Sequence, residues 1–342
     1  MWNRAMTPKA RKSPREKKRD DESSRRTLSI NDYEDCIFGF MDIDVPVIFC
    51  HSRYDQDLGQ VDGGGDEGPL TLRGLLRGSV GMMLEGRMGM TEKAVLAEGR
   101  VYAVKRFRRV SVKRGEFGRR IQNLAHVSRR CQYLVPVVAY LYAKRIKFIV
   151  CDYYPMGSLS DLLSASRELG HTALGWNQRL MIILNVARAI AFIHSQSPYL
   201  DKRMQMNEHG NIKASSIMIS EDFTARLSDY GFAQLAERLP PEPDNMYTDG
   251  LGQKSDIYNF GVVMLDLLGG PGAPGLRSCI LEKKEEIKKE DCKFFEVPVA
   301  GKEKIQALQV LDIALACTTT TTNLRPSIEN ILKSLRCVLG YT

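Results

Sequence analysis

Residues 209–231 read HGNIKASSIMISEDFTARLSDYG, and the rest of the chain takes its meaning from this stretch. A loop carrying His209, Asn211 and Lys213 leads to Ser216. Then come a short apolar strand (Ile217, Met218, Ile219), a turn at Glu221-Asp222 and a second strand (Ala225, Arg226, Leu227). The stretch closes on Asp229-Tyr230-Gly231, so two polar loops flank one small hairpin.

Composition sets the outer bounds. A chain of 342 residues corresponds to two or three units at about 150 residues each. Its 43% hydrophobic and 26% charged content is that of an ordinary soluble globular protein, and its net charge of +8 is moderate. No run approaches the ~18 uncharged apolar residues of a membrane-spanning helix. The basic start has no apolar core of the kind a signal peptide carries. The eight cysteines (36, 50, 131, 151, 279, 292, 317 and 337) include no C-x-x-C pair. A reduced, intracellular protein without a disulfide frame or zinc site is expected.

Working outward toward the N-terminus, residues 1–30 hold ten Lys/Arg against four acids, a net of +6. With almost nothing apolar to bury, the segment is expected to be disordered. It reads as a solvated tail, as a stretch attracted to an anionic membrane surface, or as a nuclear import signal around Lys9–Arg19. Arg25-Arg26-Thr27 and Arg11-Lys12-Ser13 fit basic-directed phosphorylation sites. Val45 to Cys50 is a candidate edge strand, and Asp62 to Gly68 (DGGGDEG) a flexible linker. The chain thus divides into a segment 1–69 and a folded domain 70–340. There is no internal repeat, and no basic patch interleaved with aromatics, so no specific nucleic acid is expected.

Within the domain, Val95-Leu96, a turn at Glu98-Gly99 and Val101-Tyr102-Ala103-Val104-Lys105 predict a hairpin. Glu116 to Val127 has helical spacing (Phe117, Ile121, Leu124). Leu134–Tyr142 and Lys147–Tyr153 read as strands, and Asn177–His194 as a strong amphipathic helix. Beyond Gly231, Ser255 to Leu268 predicts a buried central helix, Leu281–Glu290 a charged surface helix or coil, and Ile305–Cys317 and Ile328–Leu339 two closing helices.

The order of these signals resembles the protein-kinase domain. It looks most like the intracellular domain of plant leucine-rich-repeat receptor-like kinases. The matching stretches are LLRGSVGMMLEG, KAVLAEGRVYAVKR, DYYPMGSLSDLL, ARAIAFIHS, HGNIKASSIMI, LSDYGFA, KSDIYNFGVVMLDLL and IALACTTTTTNLRPS, spanning about residues 72–338. The resemblance implies an α+β, two-lobed kinase fold: a β-rich N-lobe (70–152) with one helix, αC, and a mainly helical C-lobe (153–340). Such proteins carry an extracellular repeat region and a membrane span upstream. A cytosolic member, a fragment, or a gene that lost those parts are the three readings of this chain.

The resemblance also assigns roles, and the departures from it are specific. The family's catalytic loop is H-R-D-L-x-x-x-N followed by D-F-G. Asn211 stands at the catalytic Asp, Ser216 at the metal-binding Asn, Gly210 at the Arg that receives a phosphorylated loop, and Tyr230 at the Phe. An amide cannot take a proton from a substrate hydroxyl, which costs roughly 10²–10⁴-fold in rate. Lys213 is retained and could touch a γ-phosphate. Asp229 is retained as a ligand for the first metal, and the Ser216 hydroxyl is a weak or lost ligand for the second. Of the phosphate-covering glycines, Gly86 and Gly89 remain, while Leu84 and Thr91 replace the first glycine and the Val. A plain hairpin is the alternative reading of this loop. Cofactor contacts fall on Gly86, Gly89, Ala103, Lys105 and the hinge residues Asp152 and Tyr153. Lys105 is the family's phosphate-binding Lys, positioned by a Glu of αC. That Glu falls on Arg120, and two facing cations at ~4 Å repel by ~4 kcal/mol at an effective dielectric of ~20. An outward shift of αC follows, with Glu116 either offered to Lys105 or, the preferred reading, paired with Arg120. From Gly231 to Gly252 only Tyr247 and Thr248 carry hydroxyls. The A-P-E motif is missing near Asp244-Asn245-Met246, which leaves Arg325 without its Glu.

Fold-supporting positions therefore survive where reaction-supporting ones do not. The chain reads as a pseudokinase that binds other signalling kinases or receptor kinases, with weak ATP and Mg²⁺ binding. Its place is the cytoplasm, or the cytoplasmic face of the plasma membrane through residues 1–30. The rival reading is an active or weakly active Ser/Thr kinase using Lys105, Lys213 and Asp229. It gains from the frequency of HGN in such kinases and loses on Arg120, Ser216 and the missing A-P-E. A nuclear protein recruited by its basic tail is a third reading, from charge alone.

Overall fold

A computed structural model describes residues 48–50, 72–86, 88–96, 99–143, 145–171, 174–197, 199–201, 204–237, 252–289 and 293–340. All described residues belong to one compact unit, Asp44–Thr342. The readings of residues 1–30, of the linker 62–68, and of 238–251 with Tyr247, Thr248 and the missing A-P-E lie outside the described residues.

The first lobe is one antiparallel sheet of β1 (Ile48–Phe49), β2 (Ser79–Gly86), β3 (Gly89–Val95), β4 (Val101–Phe107), β5 (Val137–Tyr142) and β6 (Lys147–Asp152), in the order β1-β5-β6-β4-β3-β2. A short helix α1 (Leu72–Arg77) precedes β2. The candidate edge strand at 45–50 is present as β1, with Ile48 opposite Tyr140 and Phe49 opposite Ala139. β5 starts at Val137 rather than Leu134, because Pro136 cannot donate to a ladder. Leu134 instead bridges to Leu227 of the other lobe. Along β4 successive side chains alternate sides. Thr91 lies opposite Lys105, and Ala103 opposite Cys151, so β4 turns Ala103 and Lys105 to one face of the sheet together with these partners.

Helix α2 (Arg114–Arg129) covers the sheet, slightly longer than its apolar spacing marked. Its Phe117, Ile121 and Leu124 are fully buried. Phe117 meets Phe107, Tyr140 and Tyr142 edge-on, with ring centroids 5.3–6.1 Å apart. Aromatic pairs in this geometry add about 0.5–1.5 kcal/mol each beyond the area they bury.

The second lobe begins with α3 (Leu159–Glu168), started by a capping box. The Ser158 hydroxyl accepts from the Asp161 amide at 3.2 Å, and the Asp161 carboxylate accepts from the Ser158 amide at 3.0 Å. Helix α4 (Trp176–His194) is buried on nearly every side and forms the core with α5 (Gln253–Gly269), α8 (Gly301–Cys317) and α9 (Ile328–Leu339). The charged stretch near 281–290 folds as two short helices, α6 (Arg277–Glu282) and α7 (Lys284–Lys289), which turn Ile280 and Ile287 inward. Strands β7 (Tyr199–Asp201) and β8 (Met204–Gln205) lead into the loop of the opening stretch. Its hairpin forms as read: β9 (Ile217–Ile219) pairs with β10 (Ala225–Leu227).

Inside this lobe a buried ion network ties distant segments. Arg179, 1% exposed, reaches the carbonyls of Leu174 and Leu267 and the Glu296 carboxylate at 2.6 Å. Arg167 bonds the same carboxylate and Asp266. Burial alone favours the neutral form of Glu296, but its hydrogen bonds to Arg167 and Arg179 outweigh that and hold its pKa below the usual range. Among the described residues no helix is long and apolar enough to cross a membrane.

Candidate functional site

A cleft of about 580 Å³, counted out to its open mouth, lies between the lobes. Its roof is the sheet face presenting Leu84, Thr91, Ala103, Lys105 and Cys151. Val135, Met218, Ser228, Asp229 and Phe232 close the inner side, and Asp152, Ser158 and Asp161 line the rim. Strand alternation sets the roof, and the β9–β10 hairpin sets the floor. Burial is the largest influence on Asp152 and raises its pKa, against the pull of Arg226 and Arg129. Burial likewise pushes the Cys151 thiol up, so it is an inert wall of the cleft.

At the inner end Lys105 Nζ is paired with Asp229 Oδ2, both side chains about 10% exposed. The same carboxylate oxygen accepts from Asn211 Nδ2 at 3.2 Å. Asp229 itself sits at φ +67, an uncommon left-handed conformation for a residue with a side chain. The surrounding loop enforces it. Asp256, fully buried at the start of α5, accepts from the amides of His209 at 2.7 Å and Gly210 at 2.9 Å and meets His194 Nε2 at 3.0 Å. His209 Nε2 donates to the Ser228 carbonyl at 2.8 Å, and its Nδ1 accepts from the Asn211 amide at 3.1 Å. These bonds fix one neutral tautomer, and burial lowers the His209 pKa. The Tyr230 hydroxyl donates to the Met206 carbonyl, fastening the Asp-Tyr-Gly turn to the strand before the loop.

Ser216 is buried, and its hydroxyl is within 2.9 Å of the carbonyls of Asn211 and Lys213. It braces the loop from within. Lys213 is exposed and is not one of the lining residues of the cleft.

The facing cations expected at Lys105 and Arg120 are not formed. Arg120 turns to Glu116 at 2.6 Å and to the Gln234 carbonyl at 3.0 Å, so the simple Glu116–Arg120 pair is the one made, and Lys105 is neutralised by Asp229. Gln234 ends a short 3₁₀ turn (Phe232–Gln234), and its side-chain amide pairs with the backbone of Gln205 at 2.9 and 2.7 Å. Further on, Ser111 N donates to Leu235 O at 2.9 Å, and Val110 bridges Ala236. The segment after Asp-Tyr-Gly is therefore strapped to α2 and to the loop before it. Phe232 is buried inside this strap, with its ring 5.9 Å from Lys105 Nζ. Among the described residues, Arg325 bonds the carbonyls of Thr319 and Lys254 and stacks on Tyr258.

Gly86 and Gly89 face each other across a tight hairpin turn, while Leu84 and Thr91, two pairs further back, reach the cleft. Gly89 has φ +151, and a Cβ there would lie 1.7 Å from the Arg106 carbonyl oxygen. Close approach of β3 to β4 is reason enough for this glycine. Of the expected cofactor contacts, Ala103, Lys105 and Asp152 line the cleft, and Tyr153 lies under Lys93 Nζ at 4.7 Å. Met83, Cys151, Ser158, Asp161, Ser215 and Phe232 line it too and were not singled out from the sequence. Only alternation along β2 and β6 and the Ser-x-x-Asp capping signal pointed to some of them.

The donor set does not fit the two magnesium ions of a kinase. Asp229 is held by a cation and an amide N–H, and the Ser216 oxygen bonds the backbone. At the position where the resemblance places a catalytic Asp stands the amide of Asn211, which donates to the Asp229 carboxylate that Lys105 also holds.

A protein kinase domain model matches residues 80–335. Among curated proteins of Arabidopsis thaliana, the chain is 32% identical over 283 residues to Probable inactive receptor kinase At3g08680, covering 77% of this chain and 43% of that protein. It is 31% identical over 285 residues to Inactive leucine-rich repeat receptor-like serine/threonine-protein kinase At1g60630, covering 78% and 42%. The chain thus spans less than half the length of these relatives. The solved pseudokinase domain of BIR2, an immune regulator of the RLK/Pelle family, superposes with a TM-score of 0.67 at 26% identity, covering 82% of this chain and 89% of that one. The maize SIRK1 kinase domain bound to AMP-PNP shares the fold, with a TM-score of 0.65 at 24% identity over 80% and 98% of the two chains.

Proposed function

The chain belongs to the protein kinase family, and we propose that within it this protein is a pseudokinase of the receptor-like kinase type, a scaffold or allosteric partner of an active kinase. The observation that carries the reading is the capture of Asp229 by Lys105 and Asn211. The carboxylate that a kinase gives to its metal is here closed by two donors. Several relatives are themselves named inactive receptor kinases, which supports the same reading. Its partners are receptor kinases or other signalling kinases, met at the cytoplasmic face of a membrane toward which residues 1–30 are attracted by charge. ATP binds weakly and with little dependence on Mg²⁺.

Two measurements test this. A ligand that binds the folded state raises the melting midpoint in proportion to ln(1 + [L]/Kd). Millimolar ATP is expected to shift it by no more than a degree or so, equally with and without Mg²⁺. In a reconstituted signalling assay, Lys105→Ala and Asp229→Ala proteins that fold are expected to support signalling like wild type. A large Mg²⁺-dependent shift, together with loss of signalling and of phosphate transfer in either variant, establishes the active-kinase reading instead.

A further inference from the structure

Five threonines in a row, Thr318 to Thr322, follow α8 and take no part in lining the cleft. Thr318 belongs to the fold: it is 2% exposed, and its hydroxyl donates to the Ala314 carbonyl at 2.9 Å. Thr320 and Thr321 are exposed. Thr319 lies between these extremes. It is half-buried, and its hydroxyl oxygen accepts from Arg277 Nη2 at 3.1 Å.

Arg277 is the first residue of α6 and reaches across to the end of α8. Its Nε donates to Thr318 Oγ1 at 3.2 Å, and its Nη2 donates also to the Leu315 carbonyl at 3.3 Å. Its acceptors are two hydroxyls and one carbonyl, all neutral, and among the described residues no carboxylate pairs with it. Capping of the last helix carbonyls accounts for the Leu315 contact. It does not call for a guanidinium laid against the hydroxyl of a threonine at the surface.

We infer that Thr319 is a phosphorylation site and that Arg277 is its built-in phosphate receptor. A phosphate brings about −1.5 to −2 charge at neutral pH and three strong acceptor oxygens. A guanidinium fork is the side chain that meets such oxygens in pairs. Beside the C-terminal carbonyls of α8 a phosphate by itself is repelled by the helix dipole. Arg277 touches both the Leu315 carbonyl and the Thr319 hydroxyl, so it stands where it offsets that repulsion. The connection runs on into the frame of the loop at 209–211. Arg325 Nε holds the Thr319 carbonyl at 3.0 Å, and its Nη1 holds the Lys254 carbonyl at 3.1 Å, at the start of α5. The same helix start carries Asp256, which accepts from the amides of His209 and Gly210.

The phosphate donor is ATP held by an active serine/threonine kinase, and in naming that donor the inference rests on the partner class proposed above. The Thr319 oxygen bonds to the γ-phosphorus, and the bond from that phosphorus to the β–γ bridging oxygen breaks. ADP leaves, and the hydroxyl proton passes to the carboxylate base of the donor kinase.

Two measurements on the full chain test this. In the first, the chain is incubated with Mg²⁺ and ATP, alone or with the kinase domain of an active leucine-rich-repeat receptor-like kinase, and phosphorylated residues are located by mass spectrometry. Phosphate on Thr319 only when the kinase is added is the expected result. No phosphate on Thr319 in either mixture overturns the site and leaves the pseudokinase reading standing. Phosphate placed there by the chain alone overturns that reading and leaves the site. In the second, phosphothreonine is installed at 319 or at 320 by genetic encoding and the melting midpoints are compared. At 319 it is expected to raise the midpoint by roughly 2–4 °C, and in an Arg277→Gln chain to lower it. At 320 it is expected to change the midpoint by less than about 1 °C. Equal effects at 319 and 320, or a rise that survives Arg277→Gln, overturn Arg277 as the receptor. If the Arg277→Gln chain does not fold, Arg277→Lys takes its place; it keeps the charge without the fork and is expected to lose at least about half of the rise.

Discussion

Replacing Asn211 by Asp restores the residue of an active catalytic loop, and here it is expected to harm the protein. Asn211 Nδ2 donates to Asp229 Oδ2 at 3.2 Å, and Lys105 holds the same oxygen. A second carboxylate at that distance repels the first by about 5 kcal/mol at an effective dielectric of ~20. The lost hydrogen bond to a charged acceptor adds roughly 1.5–3 kcal/mol. Lys105 can share itself between the two, and the side chain at 211 is only partly buried, so it can swing toward water. A net destabilisation of about 2–4 kcal/mol remains, equivalent to a fall of the melting midpoint by ~2 °C for each kcal/mol in a domain of this size. One carboxylate of such a pair titrates above its unfolded value. The variant therefore binds more protons folded than unfolded in that window, and its deficit shrinks as pH falls from 7 toward 5. Millimolar Mg²⁺ is expected to recover much of the loss by bridging the two carboxylates, while wild type does not respond. The assay is thermal or urea unfolding of both proteins with EDTA or Mg²⁺. An Asn211→Asp protein as stable as wild type in EDTA, and indifferent to Mg²⁺, would refute the reading of Asn211 as the donor that closes a metal-free site.

Three further outcomes follow from other contacts. Arg120→Ala removes the bonds to Glu116 and the Gln234 carbonyl, at a cost of about 2 kcal/mol; amide exchange over residues 234–237 is expected to accelerate while that of β9 stays unchanged. Glu296→Gln weakens the hold on the nearly inaccessible Arg179 and is expected to cost about 3 kcal/mol at pH 7 by urea unfolding. Because folding lowers the Glu296 pKa, that contribution is present above the ordinary Glu value near 4.5 and fades as pH falls below it, so the two proteins should converge in acid. Gly89→Ala forces a Cβ against the Arg106 carbonyl at φ +151 and is expected to cost more than ~2 kcal/mol. Gly86→Ala, whose nearest new contact is 4.0 Å away, should stay within ~1 kcal/mol of wild type.

Much of the frame was legible in the chain. The hairpin of β9 and β10, the strand carrying Lys105, the edge strand near Ile48 and the helices from Phe117 and Leu180 all announce themselves by period and by turn residues. Those signals are local: a period of 2 or 3.6 is set by the residue's own neighbours, so reading a dozen positions suffices. The boundaries moved where one local rule met another, as at Pro136, which delays β5. The strap from Arg120 to Gln234 and the lining by Phe232 were not legible, since neither residue type at those positions names a partner.

The sequence by itself determined the two-lobed kinase fold and which residue, Asn211, stands at the position the family gives its catalytic Asp, because both rest on which residues stand at which spacings. Only the tertiary structure decided what the surviving groups do. Lys105 and Asp229 lie 124 positions apart, and Arg179 and Glu296 117 apart. Which charge answers which is fixed when the sheet, the loop and the helices pack together. An expected pair such as Lys105 with Arg120 can then be resolved by rotating each side chain to a different carboxylate, and no spacing along the chain records that rotation.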